Sequence, residues 1–396
     1  MRILMIAPQP FFEPRGTPFS EYHRIRTLIS LGHTVDLVTY PFGRDVSIAG
    51  LRVFRCIRPP FLSGVRIGPS LAKVPLDASL ALEAIRRAFQ NPYDVVHSHE
   101  EGVVVGVLLA KLMKIPHLYD MHSSLPQQLS NFGFSRSRIL NSLFSWIERI
   151  AIRCSRVVIV ICPYLKEVVR AIDADASIVL IENAPGIEEG ASPEVPGGSV
   201  RSKLGLSDES ALVLYTGTFE AYQGLDLLLA SFRLVIKEEP NTKFVLVGGR
   251  ADQVEMVKKQ AQEAGVEESM VFTGQLSSKE IPSFLDSADA LVSPRSTGWN
   301  TPLKIYQYLR SGKPIVATRL LTHTQVLNDD VAVLTGATPE EYAEGLIRVI
   351  RNPSYGCEIG KRAKDLAETK YTYESYLNLT RMSYAALFED TSDLDQ

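Results

Sequence analysis

The stretch that decides the fold is Ser293–Thr318, which reads SPRSTGWNTPLKIYQYLRSGKPIVAT. It opens at the end of an apolar run and continues as a polar loop. A helical pattern then covers about Pro302–Ser311, and Gly312 ends it. A second β-branched run follows at Pro314–Thr318. This order of strand, loop, helix and strand is typical of a parallel α/β sheet.

The same alternation extends through the second half of the chain. The predicted strands are Ala211–Tyr215, Lys243–Val247, Met270–Thr273, Ala288–Ser293 and Pro314–Thr318, and the predicted helices are Leu225–Glu239, Val254–Ala264, Ser278–Ser287 and Pro302–Ser311. The strands are apolar on both faces, as in a sheet covered by helices on each side.

The first half repeats the pattern. Its predicted strands are Ile3–Ala7, Thr34–Tyr40, Val95–His97, His117–Met121, Arg156–Ile161 and Ile178–Ile181, and its predicted helices are Glu21–Leu31, Val103–Met113 and Arg136–Arg153. We therefore predict an α/β protein with two Rossmann-like, doubly wound domains. The domains are 1–186 with 373–396, and 204–372, joined by a Gly-, Pro- and Ser-rich linker at 187–203. Ligands of such sheets bind at the carboxyl ends of strands, so a cleft between the domains is the expected site.

Composition narrows the class of protein. The chain has 396 residues, of which 45% are hydrophobic and 22% are charged, as in an ordinary globular protein. Its formal net charge of -3 gives no indication of a nucleic-acid partner. The four cysteines lack metal or disulfide spacing and indicate buried thiols in a reducing cytoplasm. The apolar start is too short for a signal peptide, and no run is long enough to span a bilayer. Only the acidic tail Glu389–Gln396 and the linker suggest disorder.

The loop and helix at Ser293–Ser311 predict a binding site for a diphosphate. Asn300 or Thr301 can cap the helix, whose free N–H groups attract an anion. Lys304 lies in the first turn, where a cation opposes the helix dipole and therefore suggests a role in binding. Gln307 follows one turn later and can bond a ribose hydroxyl.

Polar residues also follow the strands of the first half. Gly16 and Thr17 lie between the first strand and a helix, where a glycine lets the backbone approach a ligand. His99 and Glu100 follow a strand, and Asp120 and His122 follow the next one. His97-Ser98-His99 invites a metal interpretation, but no third ligand with zinc spacing is nearby. The alternative for each is an ordinary turn or a buried histidine without a role.

These motifs, in this order, resemble glycosyltransferase family 4 over nearly the whole chain. The match includes the first strand with its glycine loop, Asp94–His99, Ile181–Gly186, Gly217 with Gln223-Gly224, and Lys313–Thr318. The resemblance implies a GT-B fold and a nucleoside-diphosphate sugar donor held by the second domain. It also implies retention of the anomeric configuration, no metal or other cofactor, and a last helix, about Tyr373–Phe388, that returns to the first domain.

Residues and resemblance together give a candidate set. Catalytic roles fall to His122 and Lys304. Donor binding falls to Gly16, Thr17, Gly217, Thr218, Gln223, Arg250, Arg295, Asn300, Thr301, Leu303 and Gln307. Sugar or acceptor contacts fall to His99, Glu100 and Asp120.

The chain departs from the family pattern at two charged pairs. The family's two glutamates would fall at Trp299 and Gln307, and its arginine and lysine near Thr218 and Gln223. Lys304, Arg295, Arg250 and Arg319 are the candidate replacement cations. Two other functions therefore stay open: a GT-B-like protein that binds a sugar nucleotide with little or no transfer, and a sugar-nucleotide epimerase using Glu100 and Glu101. A nicotinamide enzyme is disfavoured because no Gly-x-Gly-x-x-Gly follows the first strand.

Two segments bear on the acceptor. Leu51–Leu76 and the helix Arg136–Arg153 interleave arginines with large apolar residues. Such surfaces suit anionic lipid headgroups or a lipid-diphosphate acceptor, and so a peripheral position on the inner face of the cell membrane. The alternative is an amphipathic helix that faces the core, with its arginines in solvent.

Overall fold

The computed structural model describes residues 1–13, 16–62, 64–65, 70, 73–127, 138–182 and 197–389. The chain divides into two compact units, Met1–Asn183 with Glu374–Gln396, and Ala184–Tyr373. We call them the first and second unit. The predicted tail from 390 on and the first part of the predicted linker lie outside the described residues. None of the described helices combines the length and apolar character needed to cross a membrane.

The first unit contains a parallel sheet of seven strands in the order β3-β2-β1-β4-β5-β6-β7. The strands are β1 (Arg2–Ala7), β2 (Thr34–Thr39), β3 (Leu51–Arg55), β4 (Val95–His99), β5 (His117–Met121), β6 (Val157–Val160) and β7 (Ile178–Leu180). Residues such as Ile3, Met5 and Val95 are fully buried because helices cover both faces.

The helices of the first unit are α1 (Gly16–Ser30), α2 (Lys73–Gln90), α3 (Val103–Met113), α4 (Arg138–Cys154), α5 (Pro163–Ile172) and α14 (Tyr373–Ala385). Helices α1 and α14 pack on one face of the sheet, where Leu28 and Tyr384 share a core with Met5. Helices α2 to α5 cover the other face. The last helix thus returns to the first unit, as predicted.

The second unit contains six parallel strands in the order β10-β9-β8-β11-β12-β13. These are β8 (Leu212–Gly217), β9 (Lys243–Gly248), β10 (Met270–Gly274), β11 (Ala290–Ser293), β12 (Ile315–Thr318) and β13 (Val333–Thr335). The helices are α6 (Gly197–Lys203), α7 (Leu225–Glu238), α8 (Ala251–Ala264), α9 (Ile281–Ser287), α10 (Leu303–Ser311), α11 (Leu321–Thr324), α12 (Pro339–Arg351) and α13 (Pro353–Lys370).

The structure corrects several predicted elements. Helix α6 occupies 197–203 of the predicted linker, because Val200 is buried and Leu204 packs against the core of the second unit. The interpretation of Leu51–Leu76 as one basic surface is wrong in part. Its first residues form β3, where Arg52 bonds Asp36 and Arg55 donates to the carbonyl of Phe11.

In each sheet the order in which successive strands are added reverses once. The strand order reverses between β1 and β4 in the first unit and between β8 and β11 in the second. Connections at such a point leave the sheet in opposite directions, so the carboxyl ends of the two strands open a crevice. Each unit therefore has its own switch point, and the candidate residues are placed relative to these two positions.

Candidate functional site

Lys304 lies at the switch point of the second unit, on the first turn of α10. Its side chain is buried, and Nζ forms no hydrogen bond or ion pair with any described residue. Nζ stands 3.8 Å from the centre of the Tyr215 ring, a cation–π contact. Burial, and then repulsion from Arg295, hold the pKa of Lys304 well below its usual range. A lysine of this kind is stabilised by an anion that brings negative charge to it.

Arg295 follows β11 and is the second cation at this point. Its Nη1 donates to the Asn300 carbonyl and to Thr322 Oγ1, both at 2.9 Å, while Nε has no partner among the described residues. No carboxylate of the described chain pairs with it. Burial lowers its pKa, but a guanidinium stays charged in proteins. The switch point of the second unit thus holds two basic side chains, and neither has a carboxylate partner among the described residues.

The loop after β8 brings three more candidates beside Lys304. A Cβ on Gly217 would lie 3.2 Å from Lys304 Nζ, so the backbone there approaches the amine closely. Gln223 is buried and donates from Nε2 to Thr218 Oγ1 at 3.3 Å, and its Oε1 has no described partner. Gly217, Thr218, Gln223 and Lys304 therefore gather at the carboxyl end of β8.

Gly224 fixes this loop against the loop that carries Arg295. Its φ is +73°, and a Cβ would stand 2.0 Å from the Pro294 carbonyl oxygen. The Ser296 amide donates to the Tyr222 carbonyl at 3.3 Å, and the Arg295 guanidinium lies 5.1 Å from the centre of the Tyr222 ring. Only glycine allows the two loops to approach so closely.

The start of α10 differs from the expectation. Pro302 precedes the helix, and no side chain caps it, so neither Asn300 nor Thr301 acts as the cap. The Asn300 carbonyl accepts from Arg295, and the Thr301 hydroxyl is buried without a described partner. Leu303 begins the helix and Gln307 is partly buried one turn later. The free N–H groups of this helix are available to a ligand.

Arg250 and Arg319 do not join the two buried cations. The Arg250 side chain is 54% exposed and pairs with Glu220 and Asp252 at 3.0 and 3.3 Å. Arg319 is half exposed and pairs with Asp329. Both guanidinium groups are already neutralised by carboxylates.

Asp120 is the charged centre of the first unit's switch point. Arg24 on α1 donates from Nε to Asp120 Oδ2 at 3.1 Å, and both side chains are 1% exposed. Burial favours the neutral acid, but the Arg24 guanidinium outweighs it and holds the pKa of Asp120 well below its usual range. Arg24 is fixed in turn by α14, where Nη1 donates to Thr380 Oγ1 at 2.9 Å. Asp120 is thus an internal ion-pair partner.

Three histidines surround Asp120. The distances from Asp120 oxygens are 3.3 Å to His122 Nε2, 3.5 Å to His97 Nε2 and 3.9 Å to His99 Nδ1. His99 Nδ1 also lies 3.3 Å from His122 Nε2. Burial lowers the pKa of all three, so they are neutral at pH 7. A neutral imidazole offers one donor and one acceptor, which suits hydroxyl groups.

His97, His99 and Asp120 also meet a distance criterion for a metal ion, since their ligand atoms lie within 4.8 Å of one another. The chemistry of the set fits poorly. Arg24 already supplies a positive charge to Asp120, and His97 Nδ1 bonds the Tyr384 hydroxyl at 2.7 Å. The group acts as a hydrogen-bonded network within the protein.

Glutamates complete the first unit's site. Glu100 is buried, adopts φ +46° and accepts from Ser123 Oγ at 2.9 Å. Strained backbone of this kind is often found at functional sites. Glu21 is fully buried without a described partner, and burial, then Glu100, raise its pKa well above its usual range. Glu101 instead pairs with Lys73 at 2.9 Å.

The predicted glycine loop, at Gly16 and Thr17, lies just before Glu21 and Arg24 in the sequence. Gly16 is the first residue of α1, with φ +50°, and no atom lies within 4 Å of a Cβ built on it. Thr17 follows it in the first turn. The exposed start of this helix therefore has room for an anion.

Comparison with known proteins identifies the class. The family model described as "Glycosyl transferase 4-like domain" matches residues 22–184, and "Glycosyl transferases group 1" matches 199–371. The chain is a GT-B glycosyltransferase. This fold is shared with sucrose-phosphate synthase from Thermosynechococcus elongatus, at a TM-score of 0.81 and 19% identity over 98% of this chain and 99% of that one.

Two further relatives are similar to this chain, one in sequence and one in structure. Alpha-monoglucosyldiacylglycerol synthase of Streptococcus pneumoniae is 27% identical over 244 residues, which span 59% of this chain and 54% of that relative. Anabaena Alr3699/HepE has been solved in complex with UDP-glucose. It matches 98% of this chain and 99% of its own, with a TM-score of 0.71 and 17% identity.

Sequence reasoning missed several residues of this GT-B enzyme. Arg24, Tyr376, Tyr384 and Thr380 lie on α1 and α14, hundreds of residues apart, and meet only in the folded first unit. Tyr215 was assigned to a strand, and its role beneath Lys304 has no motif. No local pattern marked Arg24, because polar residues such as Glu21, His23 and Thr27 surround it on its helix.

Proposed function

We propose that the enzyme transfers a hexose-type sugar, with retention, from a nucleoside-diphosphate sugar to a hydroxyl of a glycan or lipid-linked acceptor. The observation that carries the proposal is the pair Lys304 and Arg295. Both are basic groups at the switch point of the second unit, and neither has a carboxylate partner in the described chain. A diphosphate supplies the missing negative charge.

The pair replaces the cations that family 4 carries at the positions of Thr218 and Gln223. A leaving diphosphate gains negative charge as the glycosidic bond breaks, and fixed cations in a dry site stabilise that charge strongly. Lys304 stands beside Gly217, so a phosphate there can also accept from backbone N–H groups. In this proposal the residues of the chain supply the positive charge, and no metal or other cofactor takes part.

The first unit contributes uncharged hydrogen-bonding groups. His99 and His122 are neutral, and Asp120 is already compensated by Arg24. We assign His122 to a sugar hydroxyl and Glu100 and His99 to the sugar or acceptor. Asp120 becomes a positioning residue, because its contact with His122 favours the tautomer that carries hydrogen on Nε2.

UDP-glucose, which is bound in the solved structure of Anabaena Alr3699/HepE, makes uridine the first base to test. Binding of UDP-, GDP- and ADP-glucose is measured by calorimetry, followed by release of free nucleotide with glycan and lipid-linked acceptors. One of the three is expected to bind and turn over. The anomeric configuration of the product, read by NMR, tests retention.

Lys304→Met tests the diphosphate site, and Arg250→Ala is its matched control, since Arg250 is a cation of the same unit that is already paired. Loss of donor binding in the first variant alone supports the proposal. Equal losses in both, or no binding of any nucleotide sugar by wild type, would overturn the assignment. Binding without transfer to any acceptor would favour a weakly active or inactive sugar-nucleotide binder.

A further inference from the structure

The outer helices of the first unit expose an unusual number of large apolar side chains. Within the described residues, the second unit exposes only Met256, Trp299 and Leu321 among its large apolar side chains. The first unit exposes many more, and eight of them lie on two neighbouring helices. Contiguous apolar patches on a soluble chain mark an interaction surface.

Helix α3 carries the first stripe. Val104, Leu108 and Leu112 are 54%, 53% and 61% exposed and lie four residues apart, so they project from one side of the helix. The opposite side is buried against the sheet through residues such as Val103 and Leu109. Helix α3 is therefore apolar all round, which is unusual for a helix with one side in water.

Helix α4 carries the second stripe. Ile139, Leu143, Trp146 and Ile150 recur at helical spacing and are all exposed, Trp146 by 60%. A shallow groove lined by Ile139, Ser142, Leu143 and Trp146 opens between them. Since α3 packs against α4 on the same face of the sheet, we consider the two exposed stripes together as one surface. We call it the α3–α4 face.

The charges at the edge of the α3–α4 face have one sign. A pocket at the carboxyl ends of both helices is lined by Lys111, Lys114, Arg153 and Arg156. None of these four pairs with a described carboxylate; Arg153 and Arg156 donate to the carbonyls of Ile172 and Glu389. Arg149 is also exposed, and the only acid on the two helices, Glu148, is buried.

We propose that the α3–α4 face binds the surface of an anionic phospholipid bilayer. The apolar stripes enter the acyl boundary, and the basic pocket contacts headgroup phosphates. A second copy of the chain fits less well, because it would bring the same uncompensated positive charge to the interface. If the sugar transfer proposed above is correct, this surface favours a lipid-linked acceptor.

Binding is tested by flotation of the full chain with phosphatidylcholine vesicles, with and without phosphatidylglycerol. We expect binding to the anionic vesicles only, weakened by salt. Leu108→Glu combined with Trp146→Glu should reduce binding to anionic vesicles by about tenfold or more. Each substitution removes an apolar side chain that is exposed in the free protein and that the bilayer would bury. Met256→Glu, an exposed apolar residue on α8 of the second unit, is the matched control and should bind normally.

The two tryptophans allow a second readout. Trp299→Phe leaves Trp146 as the sole reporter, and its emission should shift to shorter wavelength with anionic vesicles. Trp146→Phe leaves Trp299, whose emission should not shift. Lys111→Glu with Arg153→Glu should remove the preference for anionic lipid.

Absence of vesicle binding, or an equal loss in Met256→Glu, would overturn the proposal. A wild-type dimer that Leu108→Glu dissociates would instead assign the face to a second copy. Nucleotide-sugar binding is measured without lipid and depends on Lys304, so its failure is distinguishable from failure of membrane binding.

Discussion

The two switch points of this GT-B enzyme differ in whether their ionisable side chains have partners of opposite charge. In the first unit, Asp120 is neutralised by Arg24, and the neighbouring histidines are neutral. In the second unit, Lys304 and Arg295 are brought together with no carboxylate between them among the described residues. The first arrangement is complete without a ligand and offers hydrogen bonds to uncharged groups. The second lacks a negative partner among the described residues, and a bound anion would supply it.

Arg24→Met is the largest test of this comparison, because it should break the compensation in the first unit. It leaves Asp120 buried and unpaired, which costs about 3–5 kcal/mol of the free energy of unfolding. Urea titration measures the change. The matched control, Arg319→Met, removes an exposed pair with Asp329 and should cost about 0–1 kcal/mol. Similar values for both would mean that Asp120 is not held by Arg24.

Lys304→Met should have opposite effects on function and stability. Loss of the cation should lower the rate of transfer by about 10²–10³-fold, as for removal of one group that stabilises transition-state charge. The free protein should gain about 1–3 kcal/mol in its free energy of unfolding, because an unsatisfied buried amine is removed. Kinetics with the preferred donor and urea titration measure the two effects. A loss of stability would show that Lys304 has a partner in the free enzyme.

Gly224→Ala should weaken donor binding by about tenfold, through the position of Arg295. The new Cβ would meet the Pro294 carbonyl at 2.0 Å and push the two loops apart. Gly265→Ala is the control: its φ of +71° is nearly the same as the +73° of Gly224, but no atom lies within 4 Å of its Cβ. Both variants pay about 1–2 kcal/mol for left-handed backbone. Only Gly224→Ala should change affinity, measured by calorimetry.

Binding of a nucleoside diphosphate should be coupled to proton uptake by Lys304. The pKa of Lys304 is lowered in the free protein and rises when an anion binds. The affinity for a nucleoside diphosphate should therefore fall by up to tenfold for each unit by which the pH increases. The opposite sign applies to folding. The unfolded lysine binds the proton more tightly than the folded one, so the free energy of unfolding rises with pH as the cost of burying Lys304 shrinks toward pH of about 10.4. Calorimetry in two buffers of different ionisation enthalpy counts the protons. Lys304→Met should remove the coupling.

Strand and helix periodicity was sufficient for the fold, since nearly every strand of both sheets was predicted within a few residues. Helices α5 and α6 and the segment Leu51–Gln90 were missed, and so were α11, β13, α12 and α13 of the second unit. The arginines of β3 gave that segment a basic appearance, although Arg52 and Arg55 are bonded within the unit. Periodicity reports which face is apolar, but not which charges are already paired.

The candidate site was predictable at Lys304, Gly217 and Gln223, because each follows a strand in sequence. The partners that decide its electrostatics were not. Arg24 meets Asp120 across 96 residues and Thr380 across 356, and no local pattern encodes such contacts. The sequence also could not distinguish Arg295, which is buried without a described carboxylate partner, from Arg250, which is exposed and paired with Glu220 and Asp252.

Helix α14 has a consequence for how the enzyme is made. It supplies Thr380 to Arg24 and Tyr384 to His97, yet it is encoded at the far end of the chain. Domains of a growing chain generally fold in the order of their synthesis. Here most of the first unit emerges before the second, but its buried Arg24 lacks a neighbour until Thr380 is translated. The second unit, synthesised in between, has its whole sheet available earlier and is expected to be the first to reach its native packing.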